Sequence, residues 1–465
     1  MNDLHAKAAQ PLWAKDLPLN QLVHRFTVGN DPELDRRLLA HDCAGSAAHA
    51  RMLHAIGILN AGELHVLLLA LEELHAQACR GELTIPAALE DGHTLIESEL
   101  SARHAEAGAK IHSGRSRNDQ VALAQNLYLR AELLARCTQL LDFSALCLAR
   151  AGKLKKNLWP GYTHLQRAMP SSAAQWLASF AEAAQEEAQA GIALWQRMGR
   201  CPLGAAAGYG VPLPLDRHMV ARLLGYSGVH VSPMDALAAR QRHAQAALDW
   251  FSSCGNLLER FAWDISLYCT TEFGFLGLPD SLTTGSSIMP QKRNPDVAEL
   301  LRAHARSLRG LAAQHAQSSF GLPSGYHRDW QLGKAALIEG NERLQQLLAI
   351  AGHVLGELRF LRQKALRALS PELYATAAAY ACVRDGQPFR QAYRDIGRRV
   401  LNATFRATAS DRCAEPKQVS LGSPERLGLG LMHKQRLRLL RKLERLAARY
   451  ATCVQQLWPL EPQHR

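Results

Sequence analysis

AQWLASFAEAA, residues Ala174 to Ala184, carries a single charge in eleven positions. It holds no proline, no glycine and no β-branched residue, so it favours a helix. Its apolar residues do not stop at one stripe. A helix apolar on more than one face is buried by several neighbours at once. The segment therefore belongs inside a bundle and not on the edge of a sheet.

Working outward, five long helical patterns follow one another. The first starts near Asn118 or Asp119, either a candidate N-cap, and runs to about Lys156. The second starts after Pro170 and runs to about Met198, the third covers about Asp235 to Phe273, the fourth opens at Pro295 and reaches about Ser318, and the fifth runs from about Arg328 to Leu369. Proline suits the first helical position, as expected at Pro295. Several of these patterns exceed the length of ordinary globular helices, which implies a long bundle. Such a bundle, packing against copies of itself, points to a symmetric helical homo-oligomer. The expected division is a helical region over 1–110, the central long-helix bundle over 111–365, and a smaller helical region over 366–465.

The composition agrees with an all-α fold. Ala and Leu are abundant and aromatics make up 6% of the chain, a poor composition for sheets. Runs resembling hairpins, with alternating apolar residues and an Asn-Gly turn, are absent. With 465 residues and 47% apolar composition, the chain can build a large core and more than one domain. The formal charge of +12 suits either nucleic acid or small anions. No zinc-finger spacing and no RNA-binding aromatic signature accompanies it, so a solvated basic surface and an anionic substrate are expected, with no nucleic acid. The densest basic run, Lys434 to Arg449, lies within LMHKQRLRLLRKLERLAARY (Leu431 to Tyr450). Leu437, Leu440, Leu443 and Leu446 recur there at spacing three, which reads as an amphipathic surface helix with a basic outer face. The ten cysteines include no C-x-x-C pair and are expected reduced, as in a cytoplasmic protein. The start of the chain, MNDLHAKAAQ, has no apolar stretch of a secretory signal. No run approaches a membrane span.

The chemistry sits where the long helices are punctuated. HSGRSRNDQ (His112 to Gln120) places Arg115, Arg117 and Asn118 ahead of a helix N-terminus, where free N–H groups favour an anion. The same residues read equally as an exposed basic cap, with Ser116 and Asn118 as capping residues. WPGYTHLQRAMP (Trp159 to Pro170) is a loop whose turn precedes Thr163 and His164. GSSIMPQKRNP (Gly285 to Pro295) carries Ser286 and Ser287, a buried-looking Ile288–Met289 pair, then Lys292, Arg293 and Asn294 beside the fourth helix. Glu299, one turn into that helix, leans back toward the loop. A serine beside a lysine and a helix N-terminus can be stabilised as an alkoxide; the alternative is a phosphate-binding or merely capped loop. LPSGYHRDWQLGK (Leu322 to Lys334) adds Tyr326, Gln331 and Lys334. Metal spacing, a G-x-S-x-G elbow and a glycine-rich nucleotide loop are all absent. No metal and no cofactor is expected. Proton abstraction next to a carboxylate, followed by elimination, fits this set.

GSSIMPQKRNPD resembles the signature loop of the fumarase/aspartase superfamily. Together with HSGRSRNDQV and PGYTHLQRA, and with Gln291 after Met289-Pro290, it looks like the argininosuccinate lyase family. The similarity runs from about His41 to about Arg394. The resemblance implies a homotetramer with a central 20-helix core and active sites shared between subunits. It also implies a reaction that splits argininosuccinate into arginine and fumarate. Ser286 matches the family's catalytic serine, which removes the Cβ proton. Lys292 and Asn294 match groups that stabilise the resulting aci-carboxylate. His164, paired with Glu299, matches a catalytic histidine that acts as acid, base or orienting group. Arg115, Asn118, Thr163, Tyr326, Gln331 and Lys334 match substrate-binding positions, Arg240 an arginine near the substrate, and His93 a histidine at the site's edge. Two alternatives belong beside this one: a sister lyase that releases fumarate from another N-succinyl amine, and a non-catalytic relative of the crystallin kind.

Overall fold

The computed structural model describes residues 20–86, 89–407 and 420–459. The start of the chain, MNDLHAKAAQ, and Cys413 lie outside these residues. The nine described cysteines are unbridged. Among the described residues, no helix is long and apolar enough to cross a membrane.

The described residues are mostly helical. Six helices come first: α1 (Gln21–Val28), α2 (Asp31–Asp35), α3 (Leu39–Ala55), α4 (Ala61–Cys79), α5 (Gly92–Arg103) and α6 (Ala105–Lys110). The long helices follow as α7 (Arg117–Lys153) and α8 (Ala173–Arg197). After the short α9 (Arg217–Leu223) come α10 (Pro233–Tyr268), α11 (Asp296–Ser319) and α12 (Gly333–Glu357). The last group is α13 (Arg362–Arg367), α14 (Ala375–Arg384), α15 (Phe389–Leu401) and α16 (Leu429–Gln455). At 37 residues, α7 is about 55 Å long at 1.5 Å per residue.

The five long helices share one hydrophobic core, with Phe143, Phe180, Phe251, Phe261, Leu308 and Leu344 all buried in it. The segment Ala174–Ala184 behaves as its composition requires: Ala174, Leu177, Ala178, Phe180, Ala181 and Ala184 are buried. Close approach of α10 and α11 needs Gly255, where an added Cβ would meet the Ala305 carbonyl oxygen at 2.9 Å. A second core, which includes Leu53, Leu67, Leu71 and Leu100, is built mainly by α3, α4 and α5. A small third one joins Leu373 and Ala379 to Ile396 and Phe405. The basic helix α16 buries Leu439 and Leu443 in the bundle core, with Leu440 and Leu446 packed against it. Lys434, Arg438, Arg441, Arg445 and Arg449 are exposed.

Four expectations change. The first long helix is capped by Ser116, not by Asn118 or Asp119; Asp119 sits at the third helical position and completes a reciprocal capping box with Ser116. Pro295 is the N-cap of α11 and not its first residue. The fifth pattern breaks into a 3-10 turn (Arg328–Leu332), α12, a short strand at Arg359–Phe360 and α13. The segment expected as a loop before α8 is an antiparallel hairpin, β1 (Leu158–Thr163) and β2 (Gln166–Ser172). Its prolines and Gly161 argue against a strand, but burial overrides them. Trp159 is buried against Trp176, 5.7 Å away between ring centroids, and Tyr268, 5.2 Å away.

Candidate active site

The loop ahead of α7 is fixed by Asp119. One of its oxygens accepts the Ser116 N–H at 3.0 Å, and the other accepts the N–H groups of Gly204 at 3.0 Å and Ala206 at 2.8 Å. Burial raises its carboxyl to about 6, against the pull of these hydrogen bonds. Arg115, Arg117 and Asn118 then go separate ways. Arg115 turns inward and donates to Ser46 Oγ at 2.9 Å, while burial lowers its guanidinium to about 10. Arg117 is held by Glu90 at 2.8 Å and by Thr94 Oγ1 at 2.9 Å. Of the three, Asn118 alone has a side chain without a hydrogen-bond partner among the described residues, and it lines a cavity of about 220 Å³.

Arg240, Tyr326, Gln331 and Lys334 line the same cavity. Arg240, from α10, is buried and donates to Gln125 Oε1 at 2.9 Å. Gln331 donates to the carbonyls of Thr27 at 2.9 Å and Val28 at 3.2 Å, which straps the end of α1 to the wall. Lys334 is 3% exposed and lies 2.5 Å from Asp35 Oδ1 and 3.1 Å from Asp31 Oδ1. Burial works to lower its pKa, but the two carboxylates more than offset this and raise it. His93 stands one layer back, off the cavity wall, with Nδ1 3.1 Å from Asp42 Oδ1. Burial lowers the imidazole to about 4 and raises the Asp42 carboxyl, so both groups are driven toward their uncharged forms. Asp42 Oδ2 is buried without a partner.

Of the other candidates, Thr163, His164, Lys292 and Glu299 are exposed, and Ser286 and Asn294 are half-buried. His164 and Leu165 form the two-residue tip of the hairpin, with φ of 54° and 57°, as a primed hairpin turn requires of both central residues. Thr163 and His164 are both exposed, and Leu165 is 73% exposed. The Ser286 loop is closed at its base by Thr284 and Asn294, whose backbones exchange hydrogen bonds of 3.2 and 2.9 Å. Asn294 Nδ2 adds a bond to the Gly285 carbonyl at 3.3 Å. Ser286 Oγ accepts from the N–H groups of Ile288 at 3.4 Å and Met289 at 3.1 Å, a serine turn. The hydroxyl is thereby oriented by its own loop, with its proton free to point away. The Ile288–Met289 pair, expected to be buried, is not: Ile288 is 82% exposed. Lys292 is exposed and makes no ion pair with a described residue. Glu299 is exposed, and its nearest cation is Arg302, 3.9 Å away.

The chain thus brings Asn118, Arg240, Tyr326, Gln331 and Lys334 to one cavity, with His93 and Arg115 behind it. Ser286, Lys292 and Asn294 share a second place, and Thr163 and His164 a third. Against this geometry the comparisons with known proteins are specific. The profile of a family described as lyase matches residues 20–310. An argininosuccinate lyase of Sorangium cellulosum is 41% identical over 419 residues, 90% of this chain and 96% of its own. The chain belongs to the argininosuccinate lyase family. Another argininosuccinate lyase, from Stenotrophomonas maltophilia, is 42% identical over 387 residues, covering 83% of this chain and 90% of its own. The fold is shared more widely. A crystal structure of EDDS lyase with formate superposes with a TM-score of 0.72 at 22% identity, covering 95% of each chain. A class II fumarase from Schistosoma mansoni does so at 0.69 and 16%, over 87% of this chain and 96% of its own.

Sequence reasoning for this lyase family member missed the acidic side of the cavity and the serine that seats Arg115. Asp31 and Asp35 are four apart in DPELD, a spacing that puts both on one helix face, and that signal was readable. Ser46 and Asp42 carry no comparable local signal.

Proposed function

We propose that the protein splits argininosuccinate into L-arginine and fumarate by β-elimination. What supports this most is the 41% identity to an argininosuccinate lyase across 90% of the chain. As an alkoxide, Ser286 Oγ removes a proton from the carbon next to a carboxylate and becomes the hydroxyl. The electron pair moves into that carboxylate, which becomes a dianionic aci-carboxylate. Lys292 and Asn294 hold the new charge, the electrostatic contribution that is usually largest in such reactions. Collapse of the intermediate forms the double bond of fumarate and breaks the C–N bond, and the leaving guanidino nitrogen takes up a proton. His164, with Glu299, serves this proton traffic. Thr163, Asn118, Tyr326, Gln331, Lys334 and Arg240 bind substrate, with Arg115 and His93 supporting them.

In this reading a single chain does not make a site. The serine loop, the hairpin tip and the cavity come from different subunits of a homotetramer with a 20-helix core. The exposed Leu165 and Ile288 are the contacts that assembly covers. The division 1–110, 111–365 and 366–465 and a cytoplasmic location complete the proposal. The test is direct: argininosuccinate is added to the purified protein, fumarate is followed by its ultraviolet absorbance, and arginine is measured in parallel. Equal amounts of both are expected. Fumarate from another N-succinyl amine but none from argininosuccinate overturns the reading in favour of a sister lyase.

A further inference from the structure

The cavity beside Asn118 carries a pair of opposite charges that the elimination chemistry does not use. We propose that Asp31 determines which amine can leave: its carboxylate receives the α-ammonium of an amino acid whose carboxylate is held by Lys334. This rests on the function proposed above and names the residue that reads the leaving group.

Hydrogen-bond accounting singles out Asp31. Asp35 has both oxygens committed, one to Lys334 and the other to the Gly92 N–H at 3.1 Å, and it is 2% exposed. Asp91 caps α5 by accepting from the Thr94 N–H at 2.8 Å and the Thr94 hydroxyl at 2.7 Å, and Glu90 is taken by Arg117. Asp31 touches Lys334 through Oδ1 alone, and Oδ2 accepts no hydrogen bond from a described residue. Its side chain is 17% exposed and lines the cavity. Lys334 in turn uses two of its three protons on Asp35 and Asp31 and has one left for an incoming acceptor.

Set aside the self-paired Arg117 and Glu90. The cavity then offers Lys334, Arg240 and Arg328 against Asp31, Asp35 and Asp91. Balanced opposite charges a few ångströms apart do not select a simple anion or a simple cation. They fit a group that carries both signs on one carbon, which is an α-amino acid. Burial raises the Asp31 carboxyl above its ordinary range, with Lys334 opposing. An ammonium delivered to Oδ2 stabilises the charged carboxylate, so binding strengthens the contact it makes.

The test compares argininosuccinate with the analogue whose arginine α-ammonium is replaced by a hydroxyl. Both are assayed by fumarate release with the wild-type protein and with Asp31→Asn. Wild type prefers argininosuccinate. In Asp31→Asn, kcat/KM for argininosuccinate falls by ~10–10²-fold, mostly through KM, the loss expected of one charge-assisted hydrogen bond. The analogue is expected to change little, so the preference collapses, and Asp31→Glu restores part of it. A preference that Asp31→Asn leaves intact overturns the proposal. So does an equal fall for both substrates, which marks Asp31 as a scaffold for Lys334 only. A wild-type protein that releases no fumarate from argininosuccinate fails at the earlier step and refutes the functional reading itself.

Discussion

The cavity and the serine loop are built on opposite principles. In the cavity the charged groups are held by partners within the chain, and Lys334 and Arg240 are buried: Lys334 is matched to Asp31 and Asp35, Arg240 to Gln125, and Gln331 to the carbonyls of α1. In the loop, and at the hairpin tip, Lys292 and His164 stand in solvent beside exposed Ile288 and Leu165. In the proposed function the binding groups are preorganised within one chain, where a buried charge without a partner is costly. In the same reading the reacting groups are left open, because their partners arrive with substrate and with neighbouring subunits.

This contrast can be broken from either side. The largest effect is expected from Ser286→Ala, which removes the base without touching the core. Turnover falls by ~10²–10⁴-fold, the usual contribution of a positioned proton acceptor, while the thermal midpoint and the assembly state remain. Near-normal turnover in a steady-state assay moves the base elsewhere.

Lys334→Met attacks the opposite region and predicts the opposite signature. It leaves Asp31 and Asp35 facing each other in a buried place, so stability drops by ~3–5 kcal/mol. Denaturant unfolding measures it, and a variant as stable as wild type shows that the carboxylates do not depend on Lys334. His93→Gln gives a smaller effect that depends on pH. Burial holds the folded imidazole near 4, below its ordinary 6.5. Between these values the unfolded chain takes up a proton that the folded chain refuses. The stabilising share of neutral His93 is therefore complete above about pH 6.5 and is lost as pH falls toward 4. The gap in thermal midpoint between wild type and His93→Gln narrows from pH 7 to pH 5. A constant gap contradicts a neutral, buried His93.

The smallest expected effect is Leu165→Asn. Asparagine tolerates positive φ better than leucine, so the hairpin of a single chain gains or keeps stability. A several-fold loss of kcat/KM beside an unchanged melting curve then reports a tip covered by something outside the chain. Unaltered kinetics indicate a tip that stays in solvent.

Much of this was legible in the sequence, and unevenly so. The bundle was plain from segments such as Ala174–Ala184, because residues apolar on every face have few alternatives. Asn118, Tyr326, Gln331 and Lys334 were found through loops that punctuate helices, and the chain does bring them together with Arg240. The hairpin was hidden because Pro160, Gly161 and Pro170 are poor strand residues. Its stability comes from Trp159 packing on Trp176 and Tyr268, contacts far apart in sequence. The acidic wall was missed for a related reason: Asp31 and Asp35 reach Lys334 across about 300 positions of chain, as the sequence separation of 299 for Asp35 shows. Ile288 and Met289 looked like core residues by composition, and no local pattern tells an apolar residue left exposed in the single chain from one that is buried in it.

The central claim is that the open half of one chain acts on substrate held in the cavity of another. Mixing inactive chains measures it. Ser286→Ala lacks the base, and Asn118→Leu blocks the cavity at a side chain with no structural hydrogen bond. The two proteins, each nearly inactive alone, are unfolded together, refolded and assayed for fumarate release. Random assembly of equal amounts places an intact serine loop against an intact cavity in about one site in four, so roughly a quarter of wild-type activity is expected. Activity no greater than the sum of the two variants would mean that each chain builds its site alone, which contradicts a site shared between subunits.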